Sequence, residues 1–524
     1  MTWPTTIRPY LSQAYLLGLL MVAVGLTLSP FLMGMSQFWL VGIWLVDGIV
    51  AKDIKQKLSR FWHNKAAVLL VAFYLMHVVG LLWTSDFQYA MKDLRVKLPI
   101  LVMPFVLSGM EPLDRKRFDF VMLVYVLSVF IATLFSSVSY WRNDYEDVRE
   151  ISHFISHIRF CLNIVFCIAI CGYYLVVHKS PWWSKTVQAV MLLWFVYQIF
   201  IFESLSGYVI LAAVAIVSAV YAFLRWKQGR GWHIAVGVTV LVVLGVAFFV
   251  VRQQVKPMLK VEPVDFAVLE QKTAQGNDYW HDTIYNPVDD GRYVGLYYCQ
   301  TEMREAWAQR SALPFDGATT TGENLEATLA RYLTSKDLRK DAQGVMALTD
   351  EDIHNIEQGV ANYNNWKHPG LHARLSATLF EYNLYRRYNN PNGGSLSQRI
   401  EYTRASFHII GQHPWFGVGT GDVPQAFAQA YDEIHSPLNE EFRFRAHNQY
   451  LAIAVAFGLV GLAFFLFVLL FPWFASRKNH TYFYMVFLCI MLLSMFPEDT
   501  LETQAGATLF AFFAALLLAK KDNR

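Results

Sequence analysis

Apolar positions along this chain come in long unbroken runs, not at the spacing that leaves one face of a helix or strand polar. Runs of about 18 residues or more are long enough to cross a hydrocarbon core of about 30 Å. About twelve spans are predicted on that basis, near residues 11–30, 32–50, 66–84, 97–109, 118–136, 158–177, 187–202, 204–224, 233–251, 447–471, 482–497 and 505–519. The fourth is short and carries Pro99 and Pro104, so a kink or tilt is expected there. The seventh and eighth are also readable as one broken hairpin. The pattern predicts an all-α polytopic membrane protein with three parts: a membrane bundle (1–251), a loop domain (252–446) and C-terminal membrane helices (447–524).

Inside the loop the pattern changes once. Residues 252–300 read as irregular or partly extended, with Pro257, Pro263, Pro287 and "DDGRY" as turn signals. From about 300 onward, apolar residues recur at three- and four-residue spacing, as in "ENLEATLARYLTSKDL" and "TDEDIHNIEQGVANYNNW". The second of these opens on Thr349 or Asp350 as an N-cap, with acids in its first turn. "PNGG" (391–394) interrupts the pattern. A new helix then starts near Ser395 or Ser397 and ends before the glycine-rich turn "HPWFGVGTGD".

Composition agrees. Of 524 residues, 55% are hydrophobic and only 16% are charged, against about 25% charged in soluble proteins. The net charge of +3 is small, and no nucleic-acid partner is expected. The placement of Lys and Arg says more. "AKDIKQKLSRFWHNK" (51–65), "DRKRF" (114–118), "RWKQGR" (225–230), "SRK" (476–478) and "KKDNR" fall on one side of a twelve-span chain, which makes that side cytoplasmic and 252–446 external. The first apolar run reads as a span, not as a cleavable signal. Four of five cysteines (Cys161, Cys167, Cys171, Cys489) lie in predicted spans, where a thiol packs as a small hydrophobe. Cys299 stands alone in the loop, so no disulfide forms within it. No zinc spacing occurs; metal and cofactor are both expected to be absent.

The tenth span raises the chemical question. "RAHNQYLAIAVAFGLVGLAFFLFVLLF" (445–471) begins with Arg445, His447, Asn448 and Gln449, which a lipid-crossing helix does not need. Arg443 precedes them, and Arg399 and Arg404 lie on the helix before the glycine turn. Guanidinium forks suit phosphate oxygens, and an imidazole can take a proton from a hydroxyl. The set fits an enzyme that binds a lipid-linked phosphate and activates an alcohol. Basic residues at a membrane surface also contact headgroups without catalysing anything, and by themselves these residues leave both readings open.

A longer pattern favours the enzyme. Arg399, Arg404, Ala405, His413, Pro414, Gly417, Val418, Gly419 and Gly421, followed by "AHNQYL…GLVGL" (446–462), resemble the O-antigen ligase and polymerase family; the motif region runs from about 395 to 465. "EDTLETQAGATLFAFFAAL" (498–516) and "RYLTSKDLRKDAQGV" look like members from the Bacteroidetes group. The resemblance implies a GT-C-like glycosyltransferase of the inner membrane with its large loop in the periplasm. It implies an undecaprenyl-diphosphate glycan donor and an acceptor hydroxyl on lipid A–core, a growing polysaccharide or sometimes a protein. It further implies a metal-independent, inverting transfer, with His447 as the catalytic histidine and Arg399 as the loop arginine.

The chain departs from the family at two places. Thr403 stands where a tryptophan is common, and "FESLSGYVIL" (202–211) lacks the arginine of the family's Ser-Arg-Gly motif. Arg159 in "SHIRFCLN" is the expected replacement. Arg404, Arg443, Arg445 and Asn448 are the remaining substrate-binding candidates, and Glu203, between two spans, positions the acceptor or pairs an arginine. Glu498, Asp499 and Glu502 form an acidic turn expected to close the site or pair Arg443 and Arg445. Asp289–Asp290 read as a turn before a metal pair, and His408, His413 and His435 lack metal spacing. Trp415, Tyr385 and Tyr388 suit interfacial anchoring or sugar stacking. A polymerase shares all these motifs and differs in its acceptor. A transporter would pair broken or charged helices between two repeats, whereas the ionisable residues here gather at external ends.

Overall fold

The structure, a computed structural model, describes residues 3–142, 151–225, isolated positions between 234 and 259, and residues 260–368, 370–475 and 481–519. The predicted ninth span and the basic tracts 226–230, 476–478 and 520–524 lie wholly or largely outside the described residues. Two compact units are formed. One comprises residues 1–236, 402–436 and 443–524; the other comprises 237–401 and 437–442.

The first unit opens with α1 (Trp3–Leu28), α2 (Pro30–Ala51), α3 (Ile54–His63), α4 (Lys65–Val79), α5 (Phe87–Gly109), α6 (Arg115–Arg142), α7 (His157–Val177), α8 (Trp182–Ile201) and α9 (Leu205–Arg225). Eight helices among the described residues are long and apolar enough to cross a membrane. They leave many large apolar side chains outward, Phe31, Leu82, Trp182 and Leu193 among them, as lipid-facing surfaces do. The chain is thus a multi-pass helical membrane protein. The α8–α9 connection is a tight turn through Glu203, which has φ of +46°, so the seventh and eighth spans are two helices. The fourth span is longer than its apolar run. α5 is one helix of 23 residues containing both prolines, and its first half carries Lys92, Asp93, Arg95 and Lys97.

The second unit holds a hairpin, β1 (Val288–Asp289) with β2 (Arg292–Tyr293), and the helices α10 (Gln300–Arg310), α11 (Leu325–Ser335), α12 (Ala342–Met346), α13 (Asp350–Glu357), α14 (Tyr363–Lys367) and α15 (Leu371–Tyr388). Asp290 and Gly291, both at positive φ, make the two-residue turn. "DDGR" is therefore a hairpin corner, with Asp289 buried on Arg331 at 3.0 Å. Thr349 caps α13 in a reciprocal box with Asp352. Trp307, Leu325, Leu329, Tyr332, Leu333 and Ile356 form the core.

At the edge of that core sits a buried amine. Lys340 donates to the Leu296 carbonyl at 3.1 Å, and burial pushes its pKa down from 10.5 to about 7. The unfolded chain therefore holds this proton more tightly than the folded one. The resulting penalty is in full force below pH 7 and vanishes as pH rises from 7 towards 10.5. Lys340→Met is expected to raise the Tm of the detergent-solubilised protein by several degrees at pH 6 and by little at pH 10. Equal shifts at both pH values would assign the gain to packing instead.

α16 (Ser395–Gln412) starts in the second unit and ends in the first. There it is followed by α17 (Val423–Glu433), α18 (Gln449–Ala475), α19 (Tyr482–Ser494) and α20 (Gln504–Leu518).

Candidate functional site

The apolar run of the tenth span is not one continuous helix. α18 is broken at Gly458, which sits at φ +65° and ψ −166°. The glycine-rich turn fills the break. In an unbroken helix the carbonyls of Val455 and Ala456 would accept from residues 459 and 460. Here they accept from Val418 N–H (3.0 Å) and Gly419 N–H (2.9 Å), while Leu459 and Val460 donate to the carbonyls of Pro414 (2.8 Å) and Trp415 (3.3 Å). These four groups freed by the break are thus paired within protein, as a chain at membrane depth requires. The turn is also fastened to α4 and α5. Thr420 donates to the His77 carbonyl at 2.6 Å, and the Asp422 carboxylate accepts from the backbone of Ser85 (2.9 Å) and Asp86 (2.8 Å) at the start of α5.

This framework fixes the start of α18. Asn448 caps it, accepting from Leu451 N–H at 3.0 Å and donating to the Phe496 carbonyl at 2.9 Å. His447, just outside the helix, has φ of +45°, a region an L-residue occupies only when its surroundings impose it. Its half-buried ring lies on Tyr402 at 5.4 Å and meets the edge of Phe444 at 6.2 Å. Nδ1 is 3.9 Å from Glu498 Oε2.

Below the histidine runs a chain of ionised groups. Arg445 donates to Tyr89 Oη (2.8 Å) and Glu502 (3.2 Å), and its other nitrogen is 3.5 Å from Asp499. Lys97, on α5, reaches Glu502 at 2.7 Å and also pairs with Asp93 one turn away. Gln449 donates to Glu502 at 3.1 Å and accepts from Leu501 N–H at 2.6 Å. Burial alone would raise the Glu502 carboxyl, but Lys97 and Arg445 outweigh it and hold the group well below the usual carboxylate range. Asp499 goes the other way, pushed up by burial against the pull of Arg445. Tyr89, Asp93, Lys97, Arg445 and Glu502, with His77, Thr420, Phe427, Ile453 and Phe457, line a common cleft.

The expected site residues separate into groups. Arg445, His447 and Asn448 stand together with the acidic turn. Arg443 is directed elsewhere, to Asp432 at 2.6 Å and over the Tyr431 ring. Arg404 is exposed on α16 in the first unit, and Arg399 is half-buried on the part of that helix belonging to the second. Arg159 and Glu203 are on neighbouring elements. His157 is 2.5 Å from the Phe202 carbonyl, and Arg159 donates to Ser156 at 2.8 Å with its Nε buried and unpaired among the described residues. A side chain at Gly207 on α9, in the stretch lacking the family arginine, would meet Ser204 at 3.2 Å and Cys161, on the same helix as Arg159, at 3.7 Å. His447, Glu498 and Asp499 offer donor atoms within 4.8 Å of one another, but Asp499 is already shared with the Arg445 cation. His408 instead binds Glu433, which it and two glutamines hold down to about 2.

Lys97, Asp93 and Tyr89 were not among the expected site residues, and Gln449 was expected only as part of the polar start of the tenth span. The available signal was "KDLRVK" running into an apolar stretch, since ionisable residues inside a span mark function or a paired core. Residues 370–466 match the family model described as O-Antigen ligase. No curated protein matches the chain.

Proposed function

We propose that the chain is an inner-membrane glycosyltransferase of the O-antigen ligase type. It moves a glycan from an undecaprenyl-diphosphate carrier to a hydroxyl of lipid A–core on the periplasmic side. The observation that carries this reading is the family match over residues 370–466, which holds Arg399, Arg404, the glycine turn and His447 in one segment. With α5, α19, α20 and the ninth run added to the eight long helices, the chain crosses the membrane about twelve times, in a GT-C-like arrangement.

In this reading His447 accepts the proton of the acceptor hydroxyl as its oxygen bonds to the anomeric carbon. The bond from that carbon to the diphosphate breaks on the opposite side, which inverts the centre. Undecaprenyl diphosphate leaves with the bonding pair, and its charge is met by guanidinium groups, Arg399 and Arg404 first, with Arg159 in place of the absent motif arginine. Glu498, facing Nδ1, favours the tautomer with Nε2 free to act as base.

The test is transfer in membranes loaded with an undecaprenyl-diphosphate glycan and supplied with lipid A–core. Arg399→Ala is expected to lower the transfer rate about tenfold or more, the worth of one charge-assisted hydrogen bond. A native chain that only lengthens the lipid-linked glycan would be a polymerase. No transfer to either acceptor would overturn the reading.

A further inference from the structure

One carboxylate grips the chain on both sides of His447. Glu502 Oε2 receives Arg445, two residues before it, and Oε1 receives Gln449, two residues after it. Gln449 returns the contact by accepting from Leu501, the neighbour of Glu502. Between the two grips the backbone takes its left-handed turn at His447. Lys97 presses on the same carboxylate from α5 at 2.7 Å and is itself held by Asp93. Glu502, Lys97 and Asp93 are all at least nine-tenths buried.

A lysine and two acids at this depth, with the partly exposed Arg445 beside them, are costly to desolvate, and apolar packing would join α5 to the α19–α20 connection at lower cost. What apolar packing cannot do is hold two polar side chains at fixed distances either side of a residue in an unfavourable backbone region. We infer that Glu502 is a positioning residue for His447: its carboxylate clamps residues 445 and 449 and so sets the direction of the imidazole. Lys97 is the counter-charge that keeps this carboxylate ionised and in place. The inference rests on the proposed function for its kinetic consequence, though not for its geometry.

Glu502→Gln keeps the shape and gives up the charge, so it distinguishes the clamp from mere space filling. The variant is expected to lose about 10- to 100-fold in kcat, as small misplacements of reacting groups do, with the donor KM changed less than threefold. In a His447→Ala background the same substitution is expected to change the residual rate less than twofold, because there is no imidazole left to aim. Equal losses in both backgrounds would make Glu502 a general structural residue and overturn the inference. A readout independent of turnover is carbethoxylation of histidines by diethyl pyrocarbonate, followed by peptide mass spectrometry. With the clamp in place, Glu502→Gln alters the rate at His447 at least threefold and leaves His408 unchanged. Unchanged labelling at His447, or a parallel rise at both, overturns the clamp whether or not the ligase reading stands.

Discussion

Replacing His447 with alanine is expected to lower glycan transfer by about 10²–10⁴-fold, the usual contribution of a positioned proton acceptor. Stability should barely move. The imidazole is half-buried, its neighbours Tyr402 and Phe444 are large rings that remain in place, and alanine inherits the same backbone position. The comparison is therefore made on rates at matched amounts of folded protein. Glutamine at the same position separates two roles, because it can hydrogen-bond an acceptor hydroxyl but cannot take its proton. A base is lost in both variants, whereas an orienting group is largely restored by glutamine. An alanine variant within threefold of the native rate would remove His447 from the chemistry.

The second large effect falls on folding. A methyl group at Gly458 would lie 2.3 Å from the Trp415 carbonyl carbon and 2.5 Å from Phe416 N, both backbone atoms without freedom to retreat. The backbone angles there are also accessible to glycine almost alone. Gly458→Ala is expected to cost more than about 4 kcal/mol and to reduce the yield of folded protein in detergent sharply. Gly42→Ala, on α2 with nothing within 4 Å, is the control, and should be neutral or stabilising by about 0.5–1 kcal/mol. If the two variants melt alike, the break in α18 is not a structural requirement.

Hydrocarbon is an undemanding solvent to read against, and for that reason most helices were visible in the chain. A long apolar run has few other uses, and Pro30–Ala51 or His157–Val177 begin and end within a few residues of the runs that predict them. The cap at Thr349 was equally legible because its partners are three residues apart. Where legibility failed, the missing information was distant. α5 extends ten residues upstream of its apolar run, and the lysine at the junction, Lys97, is neutralised by Glu502, 405 positions away. Charge pairing was half legible: Arg445 takes the acidic turn, whereas Arg443 finds Asp432 eleven residues earlier. The break in α18 left a glycine in the text but no sign of its partner, since backbone hydrogen bonds carry no side-chain signature.

The backbone pairing of residues 414–419 with 455–460 has a topological meaning. It ties two points of the chain together across roughly 35 residues, much as a covalent cross-link would, and so removes the entropy that such a loop would otherwise keep. α17, Arg443, Arg445 and His447 all lie within that closed segment. Extra residues inserted between α17 and α18 would enlarge the ring without opening it, and would raise the entropic cost of closing it only by small logarithmic increments. Losing the pairing at Gly417, Gly419 and Gly458 would release the whole ring at once, so His447 depends on glycines some thirty residues upstream and eleven downstream as well as on the clamp at residues 445 and 449.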